Sequence, residues 1–185
     1  MPHIDTTPGI PGIRSLFEFR PETAEPLLQL AEVLLRNDNS LTRGERELIA
    51  SYVSRLNACR FCEMTHSAFA ALQLDDGWNL VAAVKDDPDT ADVSDKMKAL
   101  LHIAAKVQQG GLAVTDADVA AAREQGATDV EIHDAVLIAA AFCMFNRYVD
   151  GLAAWTPDDP EAYLPRARIL VEQGYLAPVP YPPAD

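Results

Sequence analysis

The 185-residue chain carries 28 Asp and Glu against 15 Lys and Arg, a formal charge of −13, and 49% of its residues are hydrophobic. That balance opposes the phosphate neutralisation behind nucleic-acid affinity and offers no basic stripe to anionic lipid, so neither nucleic acid nor a membrane is an expected partner. No apolar run approaches the roughly 20 residues of a membrane helix, and Pro2, Asp5, Pro8 and Pro11 stand where a signal peptide needs a basic and then an apolar stretch; a cytoplasmic, single-domain protein is expected.

Apolar residues recur at three- and four-residue spacing nearly throughout, without alternating β-branched runs, which predicts an all-α helical bundle. Residues 1–22 read as an extended N-terminal segment, 23–155 as the helical core and 156–185 as a proline-rich C-terminal arm. The first helix is predicted from about Ala24 to Arg36, with Pro26 in its first turn. Thr42 and Glu45 form a capping-box start for a second helix reaching Leu56, where Asn57 is a plausible break. The third runs from near Cys59 to about Leu74 and stops at Asp75-Asp76-Gly77; a short helix follows from Trp78. Ser94 caps a helix through Val107 that Gly110 and Gly111 end, Thr115 and Asp118 open another that Gly126 ends, and Asp129 to Ala154 is the most apolar segment. The arm holds Pro157, Pro160, Pro165, Pro178, Pro180, Pro182 and Pro183, one helix near Ala167 to Gln173, and Ile169, Leu170, Tyr175 and Tyr181 to bury, against its own subunit or a neighbouring one.

The chemistry-bearing stretch is "RELIASYVSRLNACRFCEMTHSAFAAL", Arg46 to Leu72. Cys59, Cys62 and His66 fall at i, i+3 and i+7 of one helix and so share a face, with Cys62 and His66 one turn apart. If the chain reverses near Asn57, Glu47 on the preceding helix returns alongside them. A dithiol enzyme needs a thiolate at neutral pH, a second thiol within bonding reach and groups that move protons. A helix N-terminus or an adjacent imidazolium lowers a cysteine pKa from about 8.5 to roughly 3.5–7.5. Both are at hand, Arg60 adds a nearby positive charge, and Glu47 is placed to orient His66 or accept a thiol proton. Two alternatives compete. Two thiolates, an imidazole and a carboxylate also make a complete zinc set, although structural zinc usually draws on two separated knuckles. Two core cysteines beside a satisfied histidine need no chemistry at all. Three cysteines cannot build a disulfide scaffold, and in the cytosol a close pair points to catalysis or metal.

Shifting the sequence by 84 residues superposes Glu47 on Glu131, Cys59 on Cys143, Phe61 on Phe145 and Ala70 on Ala154. This reads as a degenerate repeat of a helical hairpin that lost its dithiol, Asn146 and Asp150 replacing Cys62 and His66, or as coincidence between alanine-rich helices. Cys143 reads as a core residue or a third redox partner, His102 and His133 as surface or satisfied core histidines, Trp78 and Trp155 as core or interface aromatics. Asn146, Arg147 and Asp150 read as a polar network beside the site or part of its pocket.

Glu-x11-Cys-x2-Cys-x3-His, with the later "FCMFNRYVDGL" at Phe142 to Leu152, resembles the alkylhydroperoxidase D and carboxymuconolactone decarboxylase family, particularly its peroxidase-related branch. The resemblance covers most of residues 15–155. It implies an internally duplicated all-α subunit in a homo-oligomer, trimer or hexamer, with no cofactor. It also implies a thiol peroxidase cycle: Cys62 attacks a hydroperoxide, Cys59 resolves the sulfenic acid into a disulfide, Glu47 and His66 relay protons, and a dithiol reductant, a lipoyl protein in the best-known members, restores the thiols. Thioredoxin-type logic would favour Cys59 as nucleophile, but only Cys62 has a base one turn away. The best-known members carry a second histidine just before the second cysteine; Phe61 stands there, apolar and unable to carry protons. A lactone decarboxylase, which the family also contains, and a redox-sensing or zinc-stabilised oligomer are the competing functions.

Overall fold

Thr42, Thr115 and Thr128 each accept a hydrogen bond from the backbone N–H three residues on, and the carboxylates of Glu45, Asp118 and Glu131 accept one from the threonine N–H, so three helices start at capping boxes. The computed structural model describes residues 1–177, and within them the chain is all-α. Its helices are α1 (Ile13–Phe19), α2 (Pro21–Arg36), α3 (Arg43–Leu56), α4 (Arg60–Ala71), α5 (Gly77–Asp86), α6 (Asp95–Gln109), α7 (Asp116–Glu124), α8 (Asp129–Gly151) and α9 (Leu164–Gln173), with short 3-10 turns at Gly111–Ala113 and Pro160–Tyr163.

Helix α3 is the centre of the bundle. Almost every residue from Gly44 to Ser54 is buried, and α3 packs on α4, α6 and α8 at once. Small residues make this possible: Gly44 lies so close to Leu74 that an added Cβ would sit 2.9 Å from its Cδ2, and the Ser51 and Ser67 hydroxyls meet at 2.8 Å between α3 and α4. By length and composition alone α8, at 23 residues, is apolar enough to cross a membrane; here one of its faces lies in the bundle against α3 and α6.

The break at Asn57 is a Schellman closure. The Cys59 N–H reaches Ser54 O and the Ala58 N–H reaches Arg55 O, each at 3.0 Å, with Ala58 held at φ 57, a left-handed position that usually belongs to glycine. The chain reverses there, α4 runs back along α3, and Glu47 comes alongside the face that carries His66.

Several predicted boundaries move. The N-terminal segment is not extended throughout, because Ile13–Phe19 forms α1, and α2 starts at Pro21, so Pro26 falls in its second turn, where it leaves the Glu22 carbonyl without its helical donor. Helix α4 ends at Ala71, and Gly77 opens α5 rather than closing α4. The arm folds back on its own chain: Arg36 Nη1 donates to the carbonyls of Leu170 and Val171 at 3.0 Å, capping the end of α9. Tyr181 and prolines 178, 180, 182 and 183 of the expected arm lie outside the described residues. Trp78 and Trp155 are 43% and 48% exposed, so neither is a core aromatic.

The structure does not repeat the bend. Residues 131–151 continue as one helix, since Ala141 and Phe142 stand where the first copy has Asn57 and Ala58. The expectation that the second copy kept a helix pair is therefore corrected.

Candidate active site

Glu47, 1% exposed, is held on both carboxylate oxygens. Oε2 lies 2.6 Å from His66 Nδ1, and Oε1 accepts a 2.6 Å hydrogen bond from the Tyr175 hydroxyl. With the carboxylate accepting a hydrogen bond from Nδ1–H, the tautomer that satisfies the geometry leaves His66 Nε2 as the basic nitrogen. Aromatic rings fix the imidazole plane: Phe142 meets it edge-on at 4.5 Å, Phe69 edge-on at 5.2 Å, and Tyr175 lies nearly parallel at 6.4 Å and 16°.

Cys62, one turn before His66 on α4, lines a cavity of about 440 Å³, which His66 also lines. The walls are mostly apolar: Phe17 from α1, Leu27 and Leu28 from α2, Phe61 from α4, Phe142 and Phe145 from α8. Phe61 tilts onto Tyr163 at 6.0 Å. Gly12, at φ 54, passes so near the Phe61 ring that an added Cβ would sit 2.2 Å from it, so only glycine lets the N-terminal segment close this wall.

Cys59 is fully buried and caps the start of α4 without lining the cavity. Its hydrogen bond with Cys62, burial, and the charge of Asp150 together push its thiol far above the ordinary cysteine range. Burial raises Asp150 in turn, against a hydrogen bond from Cys59 that lowers it. The two cysteines therefore differ: Cys59 is kept as a thiol beside Cys62, and Cys62 lines the cavity one helical turn from His66.

The structure brings together all four residues predicted from the sequence, Glu47, Cys59, Cys62 and His66. It does not bring in Arg60, which turns outward to pair with Asp158 at 2.6 Å. Tyr175 was missed as a site residue, having been read as an apolar group in an arm. A Gly-Tyr step at the end of a helix is the one local hint, because Gly174, at φ 90, turns the chain sharply and plants the next side chain. Cys143 accepts a 3.5 Å hydrogen bond from Asn57 Nδ2, and Asn146 links Asn57 to Ser54 at 2.8 and 3.1 Å, a structural polar network behind the bend. Arg147 bonds the Cys143 carbonyl of its own helix, and His102 and His133 pair with Asp89 and Asp134 away from the site. Among the described residues no three His, Cys, Asp or Glu side chains are disposed to hold a metal ion.

A family model described as the carboxymuconolactone decarboxylase family matches residues 21–74 and 80–157. Three solved structures resemble the chain. An uncharacterized peroxidase-related protein from Ralstonia eutropha JMP134, described as an alkylhydroperoxidase AhpD core, is 28% identical, with a TM-score of 0.75 over 84% of this chain and 80% of that one. A second uncharacterized peroxidase-related protein, from Silicibacter sp. TM1040, is 24% identical with a TM-score of 0.74 over 84% and 79%. A protein of unknown function from Agrobacterium tumefaciens, 18% identical, has a TM-score of 0.67 over 86% and 100%; these last two speak to the fold alone. None of the curated proteins matches.

Proposed function

We propose, for a chain that belongs to the carboxymuconolactone decarboxylase family and has the AhpD-like all-α fold, that it is a thiol-dependent hydroperoxidase working through the Cys59 and Cys62 pair. The observation that carries this reading is the asymmetry of the dithiol: Cys62 on a cavity wall one turn from a histidine backed by a buried carboxylate, Cys59 buried beside it as a thiol.

In this reading His66 Nε2 takes the Cys62 thiol proton, and the thiolate attacks the terminal oxygen of a hydroperoxide. The O–O bond breaks, the alkoxide leaves with the proton from His66 as an alcohol, and Cys62 becomes a sulfenic acid. The Cys59 sulfur then attacks that sulfur; the S–O bond breaks and water departs with the Cys59 proton, closing a disulfide. An external dithiol, a lipoyl group among the candidates, supplies two electrons and two protons to restore both thiols. Glu47 holds the Nδ1 proton throughout and steadies the imidazolium. Both carboxylate oxygens are already engaged by His66 and Tyr175, which favours this arrangement over a zinc set that uses Glu47 as a ligand. The active form is proposed to be a cytoplasmic homo-oligomer, trimer or hexamer.

The test is hydroperoxide consumption coupled to a dithiol reductant, alongside a thiol titration. One equivalent of organic hydroperoxide should remove two thiols without metal release. Turnover unchanged in Cys62→Ser would sink the proposal, and lactone decarboxylation surviving loss of both cysteines would replace it with the other activity of the family.

A further inference from the structure

Tyr175 reaches the site from outside the family-matched residues, on a segment anchored at three points. Its backbone N–H donates to Glu32 Oε2 at 2.7 Å, Glu32 faces Arg36 at 3.6 Å, and Arg36 holds the last carbonyls of α9. Gly174 belongs to the same clamp, since an added Cβ would stand 2.7 Å from Glu32 Oε2. The phenol at the end of this clamp is 6% exposed and its hydroxyl donates to Glu47. A side chain wanted only for packing needs no hydroxyl here, because the ring already lies along His66 and edge-on to Phe69 at 6.2 Å.

From this geometry we infer that Tyr175 is a positioning residue of the proton relay: its hydroxyl holds the Glu47 carboxylate turned toward His66 Nδ1, and so bears on the pH at which Cys62 ionises. The inference rests on the proposed reading only in taking Cys62 as the ionising thiol. Without the phenol, Glu47 Oε1 is a buried anionic oxygen with no donor, and Glu47 holds a proton more tightly. It then competes for the Nδ1 proton that His66 needs as an imidazolium, and the thiolate loses its counter-charge.

The surrounding groups do not replace it. Arg46 lies behind Glu47 on α3. Arg36 from α2 and Arg166 from α9 act on the phenol itself, where burial and Glu47 outweigh them and keep Tyr175 protonated. On the thiol side Tyr163, Cys59 and, behind Cys59, Asp150 oppose added negative charge. Arg14 and Glu18 of α1 lie in the opposite wall of the cavity.

The experiment is the pH dependence of Cys62 alkylation by iodoacetamide in the full chain, mapped by mass spectrometry, with thermal unfolding followed by circular dichroism. Tyr175→Phe should move the midpoint up by about half to one pH unit, the order expected when a buried carboxylate loses one hydrogen bond. Difluorotyrosine at position 175, a stronger donor of nearly the same size, should move it down. Profiles that overlay within about 0.2 unit in both variants, against typical midpoint shifts of this order, overturn the inference. Should the phenylalanine variant fold poorly, the difluorotyrosine protein decides alone, a downward shift supporting the role and an unmoved midpoint removing it. Because alkylation needs no peroxide, shifts in a protein without peroxidase turnover would leave Tyr175 in its role and remove only the proposed activity.

Discussion

Glu47 and Glu131 are both buried carboxylates twelve residues ahead of a cysteine, on helices that open at a threonine capping box and close on a left-handed alanine, Ala58 or Ala153. Their surroundings differ completely. Helix α3 has 14 residues and turns back before Cys59; α8 has 23 and runs straight past Cys143, about 18 Å from Glu131 at 1.5 Å per residue. Glu131 is saturated by the Lys96 ammonium at 2.7 Å, the Ser40 hydroxyl at 2.8 Å and the Thr128 N–H at 2.7 Å. Burial alone would raise its pKa, but those three donors outweigh it and hold the carboxyl down to about 2. Among the described residues Glu47 meets an imidazole and a phenol, partners through which a proton can be held and passed. The same spacing of residue types thus meets different surroundings according to where the helix ends and what the carboxylate touches.

The widest gap between the two regions should appear in turnover. Cys62→Ser should abolish dithiol-dependent hydroperoxide reduction, while Cys143→Ser leaves kcat/KM within about twofold, since the Cys143 thiol accepts from Asn57 and packs against the core outside the cavity. Steady-state assays on the pair of variants check this, and equal losses would erase the distinction. Next come the carboxylates. Glu47→Gln and His66→Gln should each cost about 10²–10⁴ in kcat, the range for a lost general base or its orienting partner, with folding largely kept. Glu131→Gln should do the reverse, lowering unfolding free energy by about 2–3 kcal/mol while activity per folded molecule holds.

A smaller contrast lies in pH. A carboxyl depressed in the folded state contributes stability that is complete above its unfolded value, about 4.3, and disappears as pH falls towards its folded value of about 2. Denaturant midpoints of wild type and Glu131→Gln should therefore converge between about pH 4.3 and 2. The smallest effect is at the bend. Ala58→Gly should stabilise the fold by about 0.5–1 kcal/mol, relieving a left-handed alanine net of the entropy glycine adds to the unfolded chain. A loss of stability in urea titration would mean that the turn is held by more than its backbone.

What was legible in the sequence was local. The Thr42 and Glu45 capping box, the break at Asn57, and the shared face of Cys62 and His66 follow from spacing, and Glu47 joins them once the chain reverses. The straightness of α8 was harder to read, because it turns on Ala141-Phe142 standing in place of Asn57-Ala58, and helical periodicity continues on either side of both. Arg60 looked like a local charge for the thiols, but Asp158, 98 residues away, turns it outward. Tyr175 was out of reach for the same reason: its partner is 128 residues earlier, and no periodicity links them.

That separation bears on the order in which the chain can complete itself. The α3 and α4 hairpin depends on contacts within about 25 residues and is among the first elements able to form. The wall over Cys62 needs α9 and Tyr175, which dock on α2 and α3 across loops of well over 100 residues. During synthesis Cys62 is in place long before the wall that covers it, so oxidant present while the chain is still emerging meets an uncovered thiol.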